Sequence, residues 1–231
     1  MPRSDALGAA GPRAGAIQAV LFDLDGTLAD TAGDLAGALN RLLAEHRRAP
    51  LPLDLMRPHT SSGARGLLKV GFDLAPDDQR YISLRDRFLD LYEQALCVHT
   101  RLFDGVGELL SELERRSITW GIVTNKPRRF TDPLVRELHL HMRAACVVSG
   151  DTTAKPKPAP DPLLHAAQAI RTAPRGCLYV GDDLRDIQSA RAAGMPAIAA
   201  GWGYLGTEGG PGTWGADAVL AHPSEILGFL D

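Results

Sequence analysis

Residues 17–27 read IQAVLFDLDGT, an apolar run that ends in two aspartates and a glycine. Similar apolar runs recur at residues 118–124, 146–149, 177–182 and 197–200. Continuous apolar runs of this kind are typical of strands that are buried on both faces of a parallel sheet. Helical patterns lie between most of them. The sequence therefore predicts an α/β fold whose core is a doubly wound parallel sheet.

The first two predicted strands are separated by roughly ninety residues, too many for a simple crossover connection. Residues 31–47 and 76–96 have helical patterns, and a loop of small residues at 60–66 lies between them. This stretch predicts a helical subdomain inserted into the core. The predicted organisation is a flexible N-terminal extension (residues 1–15), a core (residues 16–30 and 101–231) and a helical insertion (residues 31–100).

The composition argues against several classes of protein. The 231 residues carry a formal net charge of -3, whereas a domain that binds nucleic acid through its overall charge would be basic. No apolar run approaches the roughly 20 residues that span a bilayer. The cysteines, Cys97, Cys146 and Cys177, lack the spacing of a disulfide framework or a zinc site. We therefore expect a cytoplasmic protein that binds neither nucleic acid nor membranes.

Asp23 and Asp25 close the first predicted strand. Two carboxylates at the end of a buried strand need a compensating partner, and a divalent cation would provide one. Mg²⁺ prefers a few oxygen ligands together with waters and substrate phosphate. Gly26 allows the backbone to turn sharply after the strand. An acidic turn or a helix cap is the alternative interpretation of this motif.

Polar residues also follow the later strands. Thr124 and Asn125 end the second predicted strand, where a hydroxyl and an amide can donate hydrogen bonds to phosphate oxygens, although Thr-Asn is also a common turn pair. Lys155 stands in the sequence KPKPAP, whose prolines would stiffen the loop and hold one ammonium at a defined place. A rigid linker is the alternative interpretation of this segment.

An acidic cluster follows the predicted strand at residues 177–182. Asp182, Asp183 and Asp186 lie at its end and at the start of a predicted helix, where the helix dipole favours acids, so Asp183 can also be a helix cap. Ligands of open α/β sheets bind at the carboxyl ends of the strands. Acids for a metal, together with a hydroxyl and a lysine for phosphate, indicate phosphoryl transfer at that edge.

In their order along the chain, these motifs resemble those of the haloacid dehalogenase (HAD) superfamily: Asp-x-Asp-x-Thr, Thr-Asn, Lys-Pro-x-Pro-x-Pro and Gly-Asp-x-x-x-Asp. The resemblance extends from about residue 17 to the C-terminus. The insertion resembles the helical cap of the phosphoglycolate phosphatase-like branch. This resemblance implies a Rossmann-like core, Mg²⁺ as the cofactor and a small phosphorylated metabolite as the substrate.

The same resemblance implies roles for individual residues. Asp23 would be the nucleophile, and Asp25 the general acid and then the general base. Mg²⁺ would be held by the carboxylates of Asp23 and Asp182 and by the backbone carbonyl of Asp25.

Phosphate-binding roles follow in the same way. Thr124 and Lys155 would bind the transferring oxygens, with Asn125 assisting. Asp186 would orient a metal-bound water or Lys155. For Asp183 three roles stay open: a metal ligand, a helix cap or an additional negative charge.

Substrate choice is expected to depend on the insertion. Ser62, Gly63 and Arg65 are the candidate substrate-binding residues, and Arg65 either pairs with a substrate carboxylate such as that of glycolate or lies solvated on the surface. The expected substrate is 2-phosphoglycolate, and the alternative is N-acetylmuramic acid 6-phosphate or another sugar phosphate. A phosphomutase would use the same two aspartates. A dehalogenase would not need Asp25 or Asp182, and a non-enzymatic phosphate-binding module predicts eroded motifs.

Overall fold

The computed structural model describes residues 17–207 and 209–230. Six strands of this part of the chain form one parallel sheet, and two others form a short antiparallel pair. In chain order the strands are β1 (Ala19–Phe22), β2 (Ala29–Asp30), β3 (Arg101–Leu102), β4 (Thr119–Val123), β5 (Val147–Val148), β6 (Cys177–Gly181), β7 (Ala197–Ala200) and β8 (Ala218–Leu220). The parallel sheet has the order β5-β4-β1-β6-β7-β8, so the predicted doubly wound α/β fold is confirmed.

Helices flank the sheet and fill the insertion. They are α1 (Ala32–Glu45), α2 (Leu53–Met56), α3 (Gly63–Phe72), α4 (Tyr81–Glu93), α5 (Val106–Arg115), α6 (Arg128–Glu137), α7 (Asp161–Ala169) and α8 (Leu184–Ala192). Short 3-10 helices occur at Arg57–Ser62, Pro174–Gly176, Pro211–Thr213 and Pro223–Phe229.

The central strand β1 is buried on both faces. Its side chains alternate, so Val20 and Phe22 join the apolar cluster that includes Leu110 of α5. Leu21 points to the other face and belongs to the cluster that includes Ile187 of α8. Burial on both faces explains why this strand is a continuous apolar run in the sequence.

The insertion has an apolar core of its own. Leu39 and Leu42 of α1 pack with Phe88 and Leu91 of α4 in a cluster that is separate from the two beside the sheet. Phe130 of α6 also belongs to this cluster, so the insertion packs against the core at α6. The chain leaves the core after β2 and returns through β3, and these two strands pair antiparallel.

Two local predictions differ from the structure. Residues 60–66 were expected to form a loop, but the 3-10 helix Arg57–Ser62 leads directly into α3. Gly63 makes this junction with φ of 56°, where glycine is favoured, and the following Leu67 and Leu68 are buried. Edge strand β8 was not predicted, because three residues are too short to show a pattern.

The expected flexible extension at residues 1–15 lies outside the described residues. Among the helices that are described, none has the length and apolar character required to cross a membrane.

Candidate active site

The carboxyl ends of three neighbouring strands meet at one edge of the sheet. Asp23 follows β1, Thr124 follows β4, and Asp182 follows β6, and the parallel pairing brings these three positions together. Asp23 and Thr124 line a cavity of about 290 Å³ between this edge and the insertion. The convergence predicted from the strand ends is therefore present.

The turn after β1 lies directly against the end of β6. Gly26 has φ of 86°, and its amide donates to the Ala29 carbonyl at 2.9 Å. A Cβ atom at this position would lie 2.2 Å from Oδ2 of Asp182. Glycine is thus required both by the positive φ and by the approach of the Asp182 carboxylate.

Three aspartates form a compact acidic group at this edge. Asp23, Asp182 and Asp186 each offer a carboxylate oxygen within 4.8 Å of the other two. Burial, Asp23 and Asp186 raise the pKa of Asp182 well above its ordinary value. Burial also raises the pKa of Asp23 to about 7, against the lowering effect of Lys157. Bringing these carboxylates together as anions is costly unless cations compensate them.

The hydrogen bonds of Asp182 come from neutral groups. The Thr27 hydroxyl donates to Oδ1 at 3.0 Å, and the Tyr204 amide donates to Oδ2 at 3.0 Å. The Ser61 hydroxyl of the insertion donates to Oδ2 at 3.3 Å. None of these three donors balances the carboxylate charge. The group of hard oxygen donors therefore fits a divalent cation such as Mg²⁺, and Asp186 belongs to it in addition to the predicted Asp23 and Asp182.

Lys157 supplies the positive charge beside the acidic group. Its ammonium lies 2.6 Å from Oδ1 of Asp186 and 3.0 Å from Oδ1 of Asp23, and its side chain is 2% exposed. The ammonium also donates to the Val123 carbonyl and contacts the Tyr179 hydroxyl. Burial lowers the pKa of Lys157, but the two carboxylates raise it above its ordinary value, so the side chain is charged.

The structure contradicts the predicted position of Lys155 in the site. Lys155 is exposed and is not among the residues that line the cavity. Hydrogen bonds from Asn125 explain why Lys157, and not Lys155, lies at the site. The side-chain nitrogen of Asn125 donates to the backbone carbonyl of Lys157, and its side-chain oxygen accepts from the backbone N–H of Lys157, both at 2.9 Å. These two hydrogen bonds fix the backbone of Lys157 beside β4. Asn125 lines the cavity as predicted, but its side-chain amide also holds the loop.

Asp25 is held by two donors from different parts of the chain. Its Oδ1 accepts from the Thr31 hydroxyl at 2.6 Å and from the Lys126 ammonium at 2.9 Å. Burial lowers the pKa of Lys126, but Asp25 and Tyr92 raise it above its ordinary value. The Asp25 carboxylate is not part of the acidic group. The metal contact through its backbone carbonyl, which the family resemblance implies, stays a prediction.

Asp183 is a helix cap. Its carboxylate accepts from the Arg185 amide, and the Asp186 carboxylate accepts from the Asp183 amide, which together form a capping box at the start of α8. Arg185 pairs with Asp183 at 2.8 Å and also donates to the Ser61 carbonyl of the insertion at 2.8 Å. Although burial opposes it, hydrogen bonding from Arg185 holds the pKa of Asp183 below its ordinary value.

The insertion covers the cavity with uncharged side chains. Ser62 and Gly63 line it as predicted, whereas Arg65 is exposed on α3 and does not. Of the two roles left open for Arg65, the exposed placement contradicts the contact with a substrate carboxylate and agrees with a solvated surface residue. The insertion residues that line the cavity are Leu35, Thr60, Ser61, Ser62, Gly63, Ala64, Phe88, Leu89 and Tyr92.

Several residues that line the cavity were not predicted from the sequence, among them Ser61, Lys126, Lys157 and Arg185. For Lys157 a signal was present, because KPKPAP contains Lys-Pro-x-Pro in two registers and the second one starts at Lys157, close to the start of α7. Lys126 adjoins Thr124 and Asn125, and its position alone pointed to the site. Ser61 and Arg185 had no distinguishing signal, since their roles arise from contact between the insertion and the core.

Comparison with known proteins agrees with this geometry. The family model described as haloacid dehalogenase-like hydrolase matches residues 20–200. An N-acetylmuramic acid 6-phosphate phosphatase of Pseudomonas putida is 40% identical over 215 residues, which are 93% of this chain and 96% of that protein. A phosphoglycolate phosphatase of Xanthomonas campestris pv. campestris is 44% identical over 209 residues, which are 90% of this chain and 94% of that protein.

A solved structure has the same fold. The crystal structure of a predicted phosphoglycolate phosphatase from Haemophilus somnus has a TM-score of 0.81 and 24% sequence identity, over 92% of this chain and 97% of that one. At this identity the likeness is evidence for the fold alone. Taken with the family match and the two relatives, it leads to one conclusion: the chain belongs to the haloacid dehalogenase-like hydrolases and is a phosphatase of that family.

Proposed function

We propose that this phosphatase hydrolyses the monoester of a small phosphorylated metabolite through an aspartyl-phosphate on Asp23, with Mg²⁺ as cofactor. One observation carries the proposal. A carboxylate for attack, Asp23, and a second carboxylate, Asp25, line the same cavity as the Lys157 ammonium. A nucleophile, an acid and a fixed positive charge at one point are the parts that phosphoryl transfer requires.

Asp23 is oriented for attack by its neighbours. Its Oδ1 accepts a hydrogen bond from the Leu24 amide at 2.8 Å and lies 3.0 Å from the Lys157 ammonium. In the first step a carboxylate oxygen of Asp23 forms a bond to phosphorus, and the ester P–O bond breaks. A covalent intermediate of this kind divides one difficult displacement into two easier ones.

Asp25 is the proposed general acid and general base. In its protonated form it gives a proton to the leaving alkoxide, and as a carboxylate it then accepts one from the attacking water. That water forms a new bond to phosphorus, releases inorganic phosphate and restores the Asp23 carboxylate. Thr31 and Lys126 both contact Oδ1 of Asp25, which holds the carboxyl group in one orientation.

Thr124 is proposed to bind the transferring phosphate oxygens together with Lys157. Its hydroxyl lies at the end of β4 on the cavity wall, and the side chain is otherwise buried. The hydroxyl oxygen accepts from the Lys126 amide at 3.2 Å, so the hydroxyl hydrogen is available to a phosphate oxygen.

Mg²⁺ would be held by carboxylates of the acidic group, Asp23, Asp182 and Asp186, with the backbone carbonyl of Asp25 as the further proposed ligand. Bound there, the cation would offset negative charge between the Asp23 carboxylate and the phosphate. Asp186 also pairs with Lys157, so it would orient that ammonium as well as the cation.

Binding of Mg²⁺ is expected to stabilise the protein. At a concentration of 100 times its Kd a ligand adds about 2.7 kcal/mol, which corresponds to a rise in Tm of roughly 5–10 °C for a domain of this size. Asp182→Asn should abolish most of this rise, because the substitution removes one carboxylate from the group. Thermal melts of both proteins with Mg²⁺ or with EDTA measure the difference. An equal Mg²⁺ shift in the variant would show that the cation binds elsewhere.

The charges of the residues that line the cavity help to choose between the two candidate substrates. The cations at the cavity, Lys126, Lys157 and Arg185, each pair with an aspartate, and the lining residues of the insertion are uncharged. In 2-phosphoglycolate the carboxylate is one carbon from the ester. It would therefore be buried in the cavity without an unpaired cation beside it. In N-acetylmuramic acid 6-phosphate the carboxylate is remote from the ester and can face solvent. Aromatic and aliphatic side chains such as Phe88 and Leu89 also suit the faces of a sugar ring.

We therefore favour N-acetylmuramic acid 6-phosphate over 2-phosphoglycolate, the substrates for which the two relatives are named. The experiment is phosphate release with Mg²⁺ from these two compounds, glucose 6-phosphate and a nucleoside monophosphate. We expect kcat/KM to be at least about tenfold higher for N-acetylmuramic acid 6-phosphate, the size of one buried polar mismatch. The opposite ratio would make 2-phosphoglycolate the substrate. An isomerised product with little free phosphate would indicate a phosphomutase.

The location of the reaction is proposed to be the cytoplasm. Cys97, Cys146 and Cys177 are all free thiols, which fits a reducing compartment.

A further inference from the structure

One residue that lines the cavity carries a buried hydroxyl without a hydrogen-bond partner. Tyr92 lies near the end of α4 and is 1% exposed. Among the buried side-chain nitrogen and oxygen atoms of the described residues, its hydroxyl oxygen is the one without a hydrogen-bond partner. A buried hydroxyl without a partner destabilises a protein, and such groups in native proteins are often part of a functional site.

Tyr92 lies beside Lys126, which contacts the proposed proton-transfer group Asp25. Tyr92 lines the cavity, and the Lys126 ammonium lies 4.6 Å from the centroid of its ring. That ammonium contacts Oδ1 of Asp25 at 2.9 Å. Phe130 of the core packs on the other side, with ring centroids 5.4 Å apart. Tyr92 therefore lies at the boundary between the insertion and the core, next to the position where the leaving alkoxide would take its proton.

The hydroxyl is suited to be a donor. Burial raises the pKa of Tyr92 to about 12, against the lowering effect of Lys126, so the hydroxyl keeps its proton at neutral pH. Lys126 can only donate, so the hydroxyl hydrogen of Tyr92 has no acceptor in the protein, and a hydrogen bond from it to an incoming oxygen would break no existing contact. Because the hydroxyl oxygen is buried in the structure, the contact proposed below requires α4 to move slightly away from the core.

We propose that the Tyr92 hydroxyl donates a hydrogen bond to an oxygen atom on the carbon next to the ester CH₂ group of the substrate. This inference rests on the proposed function. It identifies the substrate class as phosphate esters that contain the unit P–O–CH₂–C–O. The ring oxygen of a hexose 6-phosphate and the carboxylate of 2-phosphoglycolate both occupy that position, so Tyr92 would recognise a feature that the two candidate substrates share.

A matched pair of compounds tests the proposal. Tetrahydropyran-2-ylmethyl phosphate and cyclohexylmethyl phosphate have nearly the same shape and differ by the one oxygen atom. Each is assayed as a substrate of the wild-type protein and of Tyr92→Phe, or as a competitive inhibitor of the best substrate if its turnover is slow. Combining two compounds with two proteins isolates the interaction between the hydroxyl and that oxygen.

For the wild-type protein we expect kcat/KM, or the inhibition constant, to favour the oxygen-containing compound about tenfold, and Tyr92→Phe to bring the ratio close to one. The cyclohexyl compound should be processed equally by both proteins. The Tm of Tyr92→Phe should be unchanged or a few degrees higher, because the variant loses an unsatisfied buried group and keeps the ring.

Two outcomes would overturn the inference, and they are distinguishable from a failure of the proposed function. An equal loss for both compounds would mean that the hydroxyl does not recognise this oxygen. An unchanged ratio in Tyr92→Phe would mean that another group does. If the wild-type protein releases phosphate neither from these two compounds nor from any compound of the substrate panel, the proposed function itself is wrong.

Discussion

An Asp23→Asn variant is expected to lose phosphate release by on the order of 10⁴-fold or more, the scale seen when a covalent nucleophile is removed. The amide has the shape of the carboxylate but cannot form the aspartyl-phosphate. Its side-chain oxygen can still accept the hydrogen bond that the Leu24 amide donates to Oδ1. The measurement is phosphate release under saturating Mg²⁺ with the best substrate of the panel.

Stability separates this chemical effect from a folding defect. Burial and the charges of Asp186 and Asp25 raise the pKa of Asp23, so removing its charge relieves repulsion and the metal-free variant should melt no lower than the wild-type protein. Asp54→Asn, the same substitution at an exposed position of α2, is the matched control and should retain full activity. Turnover in Asp23→Asn within tenfold of wild type would rule out Asp23 as the nucleophile.

Lys157→Met is expected to lower kcat by on the order of 10²- to 10³-fold, the cost of removing one group that stabilises charge in the transition state. Methionine retains the length of the side chain but leaves Asp23 and Asp186 without their cation. Breaking a buried ion pair costs about 3–5 kcal/mol, so the Tm of this variant should also fall. Activity is therefore measured well below the Tm of the variant.

Lys155→Met is the matched control two residues away. Lys155 is exposed, and its backbone carbonyl accepts from the Thr153 hydroxyl, a contact that the substitution leaves in place. We expect its kcat and Tm to be close to the wild-type values. A large loss of activity at Lys155 with an unaffected Lys157→Met would restore the lysine predicted from the sequence.

The contrast between Lys155 and Lys157 shows that residues in a loop are harder to place from the sequence than residues at the end of a strand. Thr124 and Asp182 could be predicted as neighbours of Asp23 because each one follows a strand, and parallel strands bring their carboxyl ends to one edge whatever the loops do. Lys155 and Lys157 lie in one proline-rich loop that no such rule positions. The choice depends on hydrogen bonds from Asn125, which is 32 residues away in the sequence.

The insertion shows the same limit. Helical periodicity predicted α1 and α4, because the apolar residues on the buried face of an amphipathic helix recur every three or four positions in the sequence. For Arg65, in contrast, the sequence offers only its charge and its proximity to Ser62 and Gly63 as signs of substrate binding. The side chain points into solvent because α3 buries Leu67 and Leu68 instead, and the direction of one side chain depends on how the whole helix packs.

By itself the sequence determined the α/β class and the position of the acids at the strand ends, because the burial of a strand and the residues that follow it can be recognised from local sequence patterns. The tertiary structure alone decided that Lys157 is the lysine at Asp23 and that Asp186 joins the acidic group. It also left the buried hydroxyl of Tyr92, a residue that lines the cavity, without a hydrogen-bond partner. Each of these three features depends on contacts between segments that are distant along the chain, and such contacts cannot be predicted from the local spacing of residues.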